Sequence, residues 1–96
     1  MLIRKSASAG TLESSDVYVE IEPGMGQLEI SLESVVENQF GEAILQAVRD
    51  VLKECEVQSA IVRVVDRGAL ECVLRARVET ALVRAAAGPT DGKGMN

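Results

Sequence analysis

From Val17 to Ile21, apolar residues alternate with Tyr18, Glu20 and Glu22, and Leu28, Ile30 and Leu32 alternate with Gln27, Glu29, Ser31 and Glu33. A period of two turns one side of each segment toward a core, so both read as half-buried strands. Between them EPGMGQ supplies Pro23, Gly24 and Gly26. These residues provide the fixed and the positive φ of a tight turn, which predicts a hairpin. The period then changes. Val36, Phe40, Ile44, Val48 and Val51 recur at three and four residues, with Ala43, Ala47 and Leu52 widening the stripe, the pattern of an amphipathic helix. SVVE marks its start as a capping box, in which Ser34 accepts from the Glu37 amide and the glutamate reaches back. Gly41 inside this helix costs about 1 kcal/mol relative to alanine and is expected where the helix packs closely on a sheet.

After Glu54 the helical period is lost. AIVRVVD has the β-branched content of a third strand, DRGA reads as a turn, and LECVLRA reads as a fourth strand with Leu70, Cys72 and Leu74 on one face. That alternation places Cys72 in the core. RVETALVRAAAG returns to helical spacing through Val78, Ala81, Leu82 and Ala85, and stops at Gly88 and Pro89. The order is therefore β-β-α-β-β-α. Each strand has one apolar and one polar side, so the expected fold is α+β, a four-stranded, largely antiparallel sheet with both helices on one face. Residues 1–16 are expected as a flexible N-terminal segment, 17–87 as the folded domain and 88–96 as a disordered tail. Strand order does not follow from these patterns.

With 96 residues, one Phe and one Tyr, the core must come from Val, Leu, Ile and Ala. Ten Lys and Arg against 15 Asp and Glu give a net charge of −5, the wrong sign for nucleic-acid binding. No apolar run reaches the ~20 residues that cross a bilayer, and the start of the chain lacks the apolar centre of a signal peptide. A cytoplasmic protein is expected, with Cys55 and Cys72 reduced. The chain has no histidine, so catalysis by it alone would lack the commonest general base. No metal site is expected, because Cys-x-x-Cys spacing is missing and ESSD and EIEPG lack a calcium-loop pattern. PGMG and AGT are not followed by the lysine and hydroxyl of a phosphate-cradling loop. Arg63, Arg67, Arg75 and Arg77 fit either docking and steering of an anion or a solvated face with weak ion pairs, Arg75 and Glu79 at helical spacing included.

Three segments carry more information together than apart: SASAGTLESSD near the start, ENQFGEAI in the first helix and DRGALECVLRARVETALVRAA near the end. In that order they resemble the acyl carrier protein family of citrate lyase, its gamma chain, over roughly Ile3 to Ala87. The resemblance implies a carrier subunit without catalysis of its own, bearing a covalent phosphoribosyl dephospho-CoA group. A phosphodiester would join that group to a serine of GTLESSD. The family's serine aligns with Ser14, and Ser15 is the adjacent alternative. The implied thiol carries acetyl and citryl thioesters while citrate is cleaved to acetate and oxaloacetate. The alpha (transferase) and beta (lyase) subunits would supply acid–base groups and a divalent metal. A prosthetic-group transferase and an acetylating ligase complete the implied partners.

The physical logic agrees with that reading. A carrier must expose a hydroxyl, small neighbours impose little bulk, and a serine outside the sheet avoids burying a phosphate charge. Without the resemblance the same run reads as an ordinary loop. A helix-bundle carrier is disfavoured, since its DSL attachment motif is missing and the strands are well patterned. Remaining alternatives are the acyl carrier of malonate decarboxylase, an unmodified protein-interaction module, and an enzyme with Ser14 as nucleophile and Lys5 as base. The last has no positioned third group.

Overall fold

The computed structural model describes residues 1–35 and 37–87. Its elements are β1 (Ala7–Gly10), β2 (Val17–Pro23), β3 (Leu28–Ser34), α1 (Glu37–Glu54), β4 (Ala60–Asp66) and α2 (Glu71–Ala86). They form the expected α+β fold, a four-stranded sheet with two helices. The sheet order is β1-β2-β4-β3, with β1–β2 and β2–β4 antiparallel and β3–β4 parallel. It is thus mixed, with two of its three pairings antiparallel.

Three details of the expected β-β-α-β-β-α order are corrected. First, 70–76 is not a strand but the start of α2, whose buried residues are Leu74, Val78, Ala81, Leu82 and Ala85. Leu70 and Cys72 are exposed, so their alternation with Leu74 was coincidental and Cys72 is not a core residue. Second, the fourth strand is β1, inside the segment expected to be loose. Ala9 is buried against the core and Ala7 packs at its edge, while Arg4 and Lys5 both donate backbone N–H bonds to the Ala85 carbonyl at the far end of α2. Third, β2 and β3 are not a hairpin pair, because β4 lies between them: Val64 sits opposite Val19 on one side and Leu32 on the other. The physical reason is apolar content. Ala60, Val62, Val64 and Val65 are all buried, and a strand with so little polar surface is most stable between two others.

The inward faces of the strands, Val17, Val19 and Ile21 on β2 with Val62 and Val64 on β4, meet Val48, Val51 and Leu52 of α1 and Val78 and Leu82 of α2 in one core. Each fully buried aliphatic side chain contributes about 1.5–3 kcal/mol. Phe40, expected in the apolar stripe of α1, is half exposed. Ser34 donates its hydroxyl to buried Asp66, and Asp66 also accepts from the Ala69 amide, so the ends of β3 and β4 are tied together. The capping box rests on the Glu37 side chain, which, like the stop at Gly88 and Pro89 and the tail 88–96, lies outside what the structure describes. No described helix is long and apolar enough to cross a membrane.

The topology gathers several chain segments at one place. The ends of β1, β3 and β4, the start of β2 and the first turns of α1 and α2 all meet at the same end of the sheet.

Candidate functional site

The residues 11–16 connect β1 to β2 at that end. The turn begins where β1 stops at Gly10, which has a φ of +91°. A Cβ built there would stand 1.8 Å from the Val17 carbonyl oxygen, so only glycine lets the two strands close. Asp16 then organises the turn. Its Oδ2 accepts from the Thr11 hydroxyl at 2.6 Å and its Oδ1 from the Val17 amide at 2.7 Å. From α2, Arg77 donates through Nε to Oδ1 at 3.2 Å and through a terminal nitrogen to Oδ2 at 3.1 Å. The Thr11 hydroxyl accepts in turn from the Glu13 amide, and the Asp16 amide donates to the Glu13 carbonyl.

Electrostatics follow from this set. The hydrogen bonds from Thr11 and the Val17 amide, reinforced by the Arg77 guanidinium, outweigh partial desolvation and hold the Asp16 carboxyl down at about 2. The turn is also tied to the residue that follows β4: the Ser15 amide donates to the Arg67 carbonyl at 2.8 Å, and the Arg67 amide donates to the Asp16 carbonyl at 2.9 Å.

The two serines singled out from the sequence have different settings. Both are exposed. Ser15 takes a left-handed φ of +67° and uses its amide to bind Arg67 just after β4, so its backbone is part of the brace. Ser14 precedes it in the turn, and neither serine hydroxyl has a hydrogen-bond partner among the described residues, so the two differ in backbone and not in hydroxyl bonding. Lys5, considered as a base for Ser14, lies beside Ala85 at the opposite end of α2.

The four arginines separate cleanly. Arg63 pairs with Glu20 across the outer face of the sheet at 3.3 Å. Arg75 is not on the sheet; it joins α2 to α1, meeting Asp50 at 3.2 Å and Glu54 at 3.9 Å, and its helical partner is Glu71 at 3.0 Å in place of Glu79. Arg77 belongs to Asp16. Arg67 has no carboxylate partner among the described residues, and its Nε is shut from solvent without an acceptor. Sequence reasoning missed the Asp16 hub and the distinction of Arg67. ESSD and RARVE were visible, but the 61-residue separation that joins Asp16 to Arg77 carries no local signal.

The arrangement suits attachment of an anionic group. It offers a free, accessible hydroxyl on a braced turn, a carboxylate already neutralised by Arg77, and one part-buried guanidinium with capacity to spare. Cys72 is exposed, and Cys55 is half-buried, its thiol pushed up by burial and by Glu79 and Glu54.

The comparisons with known proteins fit this geometry. The family model described as malonate decarboxylase delta subunit (MdcD) matches residues 4–85. The citrate lyase acyl carrier protein 2 of Salmonella paratyphi A is 54% identical over 90 residues, 90% of each chain. The citrate lyase acyl carrier protein of Vibrio cholerae serotype O1 is 52% identical over 86 residues, 88% of each chain. Among solved structures, a chain of a Pseudomonas malonate decarboxylase hetero-tetramer in complex with malonate superposes with a TM-score of 0.78 at 25% identity, covering 88% of this chain and 87% of that one.

Proposed function

The chain belongs to the citrate lyase acyl carrier protein family, and from that premise we propose that it is the carrier subunit of citrate lyase, modified on Ser14. The proposed group is phosphoribosyl dephospho-CoA, joined through a phosphodiester to the Ser14 oxygen. Once attached, it supplies a thiol on a long arm that can carry acyl groups between active sites. The complex that uses it cleaves citrate to acetate and oxaloacetate in the cytoplasm. Acid–base chemistry and metal belong to the alpha and beta subunits, while a prosthetic-group transferase and an acetylating ligase prepare the arm.

The observation that supports this reading is the Ser14 hydroxyl, exposed and without a hydrogen-bond partner among the described residues, in a turn braced by Asp16. This chain's residues contribute presentation. Asp16 and Arg77 fix the turn against α2, Ser15 and Arg67 fix it against the end of β4, and Gly10 lets β1 enter it. Ser15 is the weaker candidate, because modification there would load the residue whose left-handed backbone closes the brace.

Intact mass of the chain from its native source, followed by fragmentation across Thr11 to Val17, tests the proposal. The expected result is one adduct on Ser14 and none in Ser14→Ala. An adduct on Ser15 would move the site, and a chain left unmodified by the cognate transferase and precursor would overturn the carrier role.

A second reading, the acyl carrier of malonate decarboxylase, is favoured by the family model and the hetero-tetramer match. The identity to citrate lyase carriers is about twice as high. Mixing the modified chain with citrate lyase alpha and beta subunits separates the two: citrate cleavage supports the first reading.

A further inference from the structure

We propose that Arg67 is the anion partner of the group on Ser14, its guanidinium taking the charge of the phosphodiester at the point of attachment. The inference rests on the carrier reading above and adds a binding residue to it.

Arg63, Arg75 and Arg77 each face a carboxylate, whereas Arg67 faces none among the described residues. Nor is Arg67 a free surface cation like the exposed Arg4 and Arg49, because it is half-buried and its Nε is removed from water with no acceptor. A buried donor without an acceptor is disfavoured unless a ligand completes it. Asp16, the nearest acid by hydrogen bonding, cannot serve. Its Oδ1 is taken by the Val17 amide and Arg77, and its Oδ2 by Thr11 and Arg77.

Position makes the same point. The Ser15 amide bonds the Arg67 carbonyl and the Arg67 amide bonds the Asp16 carbonyl, so Arg67 and the residues following Ser14 form one hydrogen-bonded unit. A phosphodiester brings a single negative charge and two non-bridging oxygens that accept but cannot donate. The planar fork of a guanidinium matches such an acceptor better than an ammonium does. The phosphate is the part of the arm closest to the polypeptide, and binding it leaves the rest free to swing.

The test uses the 15N-labelled full-length chain before and after modification by the cognate transferase, with mass confirming the adduct. The Arg67 Nε–H resonance, identified by its loss in Arg67→Gln, should move downfield and exchange more slowly with water after modification. The Arg75 Nε–H, held by Glu71, should stay in place. The 31P resonance of the Ser14 phosphodiester should shift in modified Arg67→Gln relative to modified wild type, with Arg67→Lys in between. A complete adduct on Ser14 with an unmoved Arg67 Nε–H overturns the role of Arg67 and leaves the carrier reading intact, as does a phosphodiester 31P resonance unchanged in Arg67→Gln. Failure to form any adduct overturns both.

Discussion

The two ends of β2 each carry a short exposed turn, and the two are built differently. At one end, residues 11–16 hold a threonine, two serines and an aspartate. At the other, residues 24–27 hold two glycines, Met25 and Gln27. Both turns require a glycine where backbones approach: a Cβ on Gly10 would meet the Val17 carbonyl oxygen at 1.8 Å, and one on Gly24 the Ala60 nitrogen at 2.5 Å. There the likeness stops. Among the described residues the 24–27 turn is held by neutral bonds alone, from the Gly26 amide to the Ser59 hydroxyl and from the Ala60 amide to the Gln27 carbonyl, and Met25 at its tip is 90% exposed. The 11–16 turn is held by a carboxylate reached from α2. What separates the braced turn from the other is the long-range ion pair between Asp16 and Arg77.

The largest effect expected from breaking this contrast is at Gly10. Gly10→Ala combines a positive φ with a backbone clash, and should cost at least about 1–3 kcal/mol in chemical denaturation. Gly24→Ala should cost less, since its φ is not in the left-handed region and only the approach to Ala60 and the Ser59 hydroxyl must relax. Equal losses would mean that the β1–β2 junction is no more constrained than the other turn.

Acid separates the turns next. The Asp16 carboxyl is lowered from 3.8 to about 2, so its ionised form is favoured in the folded chain. The stabilisation it provides is complete above pH ~4 and is lost as pH falls toward 2. Amide resonances of Val17 and Glu13 should titrate with a midpoint near 2, and Asp16→Asn should abolish that titration. The Gly26 and Ala60 amides, which face no carboxylate, should not follow it. A midpoint near 4 for Val17 would remove Asp16 as the hub.

The smallest effect belongs to Ser59→Ala, which deletes the acceptor of the Gly26 amide at an exposed site. A loss of about 0.5–1 kcal/mol is expected, without change in Ser14 modification. A modification defect in this variant would show that the two turns are coupled through β2.

Much of the fold was legible because period reports burial. Val17 to Ile21, Leu28 to Leu32, the stripe of α1 and the run AIVRVVD all became the elements their patterns indicate. The failures have specific causes. Leu70, Cys72 and Leu74 satisfy a two-residue period, but Leu70 and Leu74 are also i,i+4 neighbours, and the Leu74 amide in fact bonds the Leu70 carbonyl in the first turn of α2. β1 is made of Ala, Ser, Ala and Gly, residues with weak strand preference, and it forms because α2 and β2 give Ala9 a place to be buried. The place of β4 between β2 and β3 depends on competition for the sheet centre, which no local window contains. At the candidate site, Ser14 was singled out through resemblance, whereas the settings of Asp16, Arg77 and Arg67 arise only when distant segments meet.

Because β1 and the residue after β4 both hold the turn, the point from which an arm on Ser14 would leave is fixed on the sheet. Such a tether is a pivot and not a leash. The thiol at its end samples a shell whose radius is the arm's own length, and its effective concentration at a partner's active site depends on the distance from pivot to site. Extra residues between Thr11 and Asp16 would enlarge the shell and dilute the thiol within it. Two active sites lying inside one shell can be served by the arm alone, while sites lying farther apart demand that the whole domain turn between them.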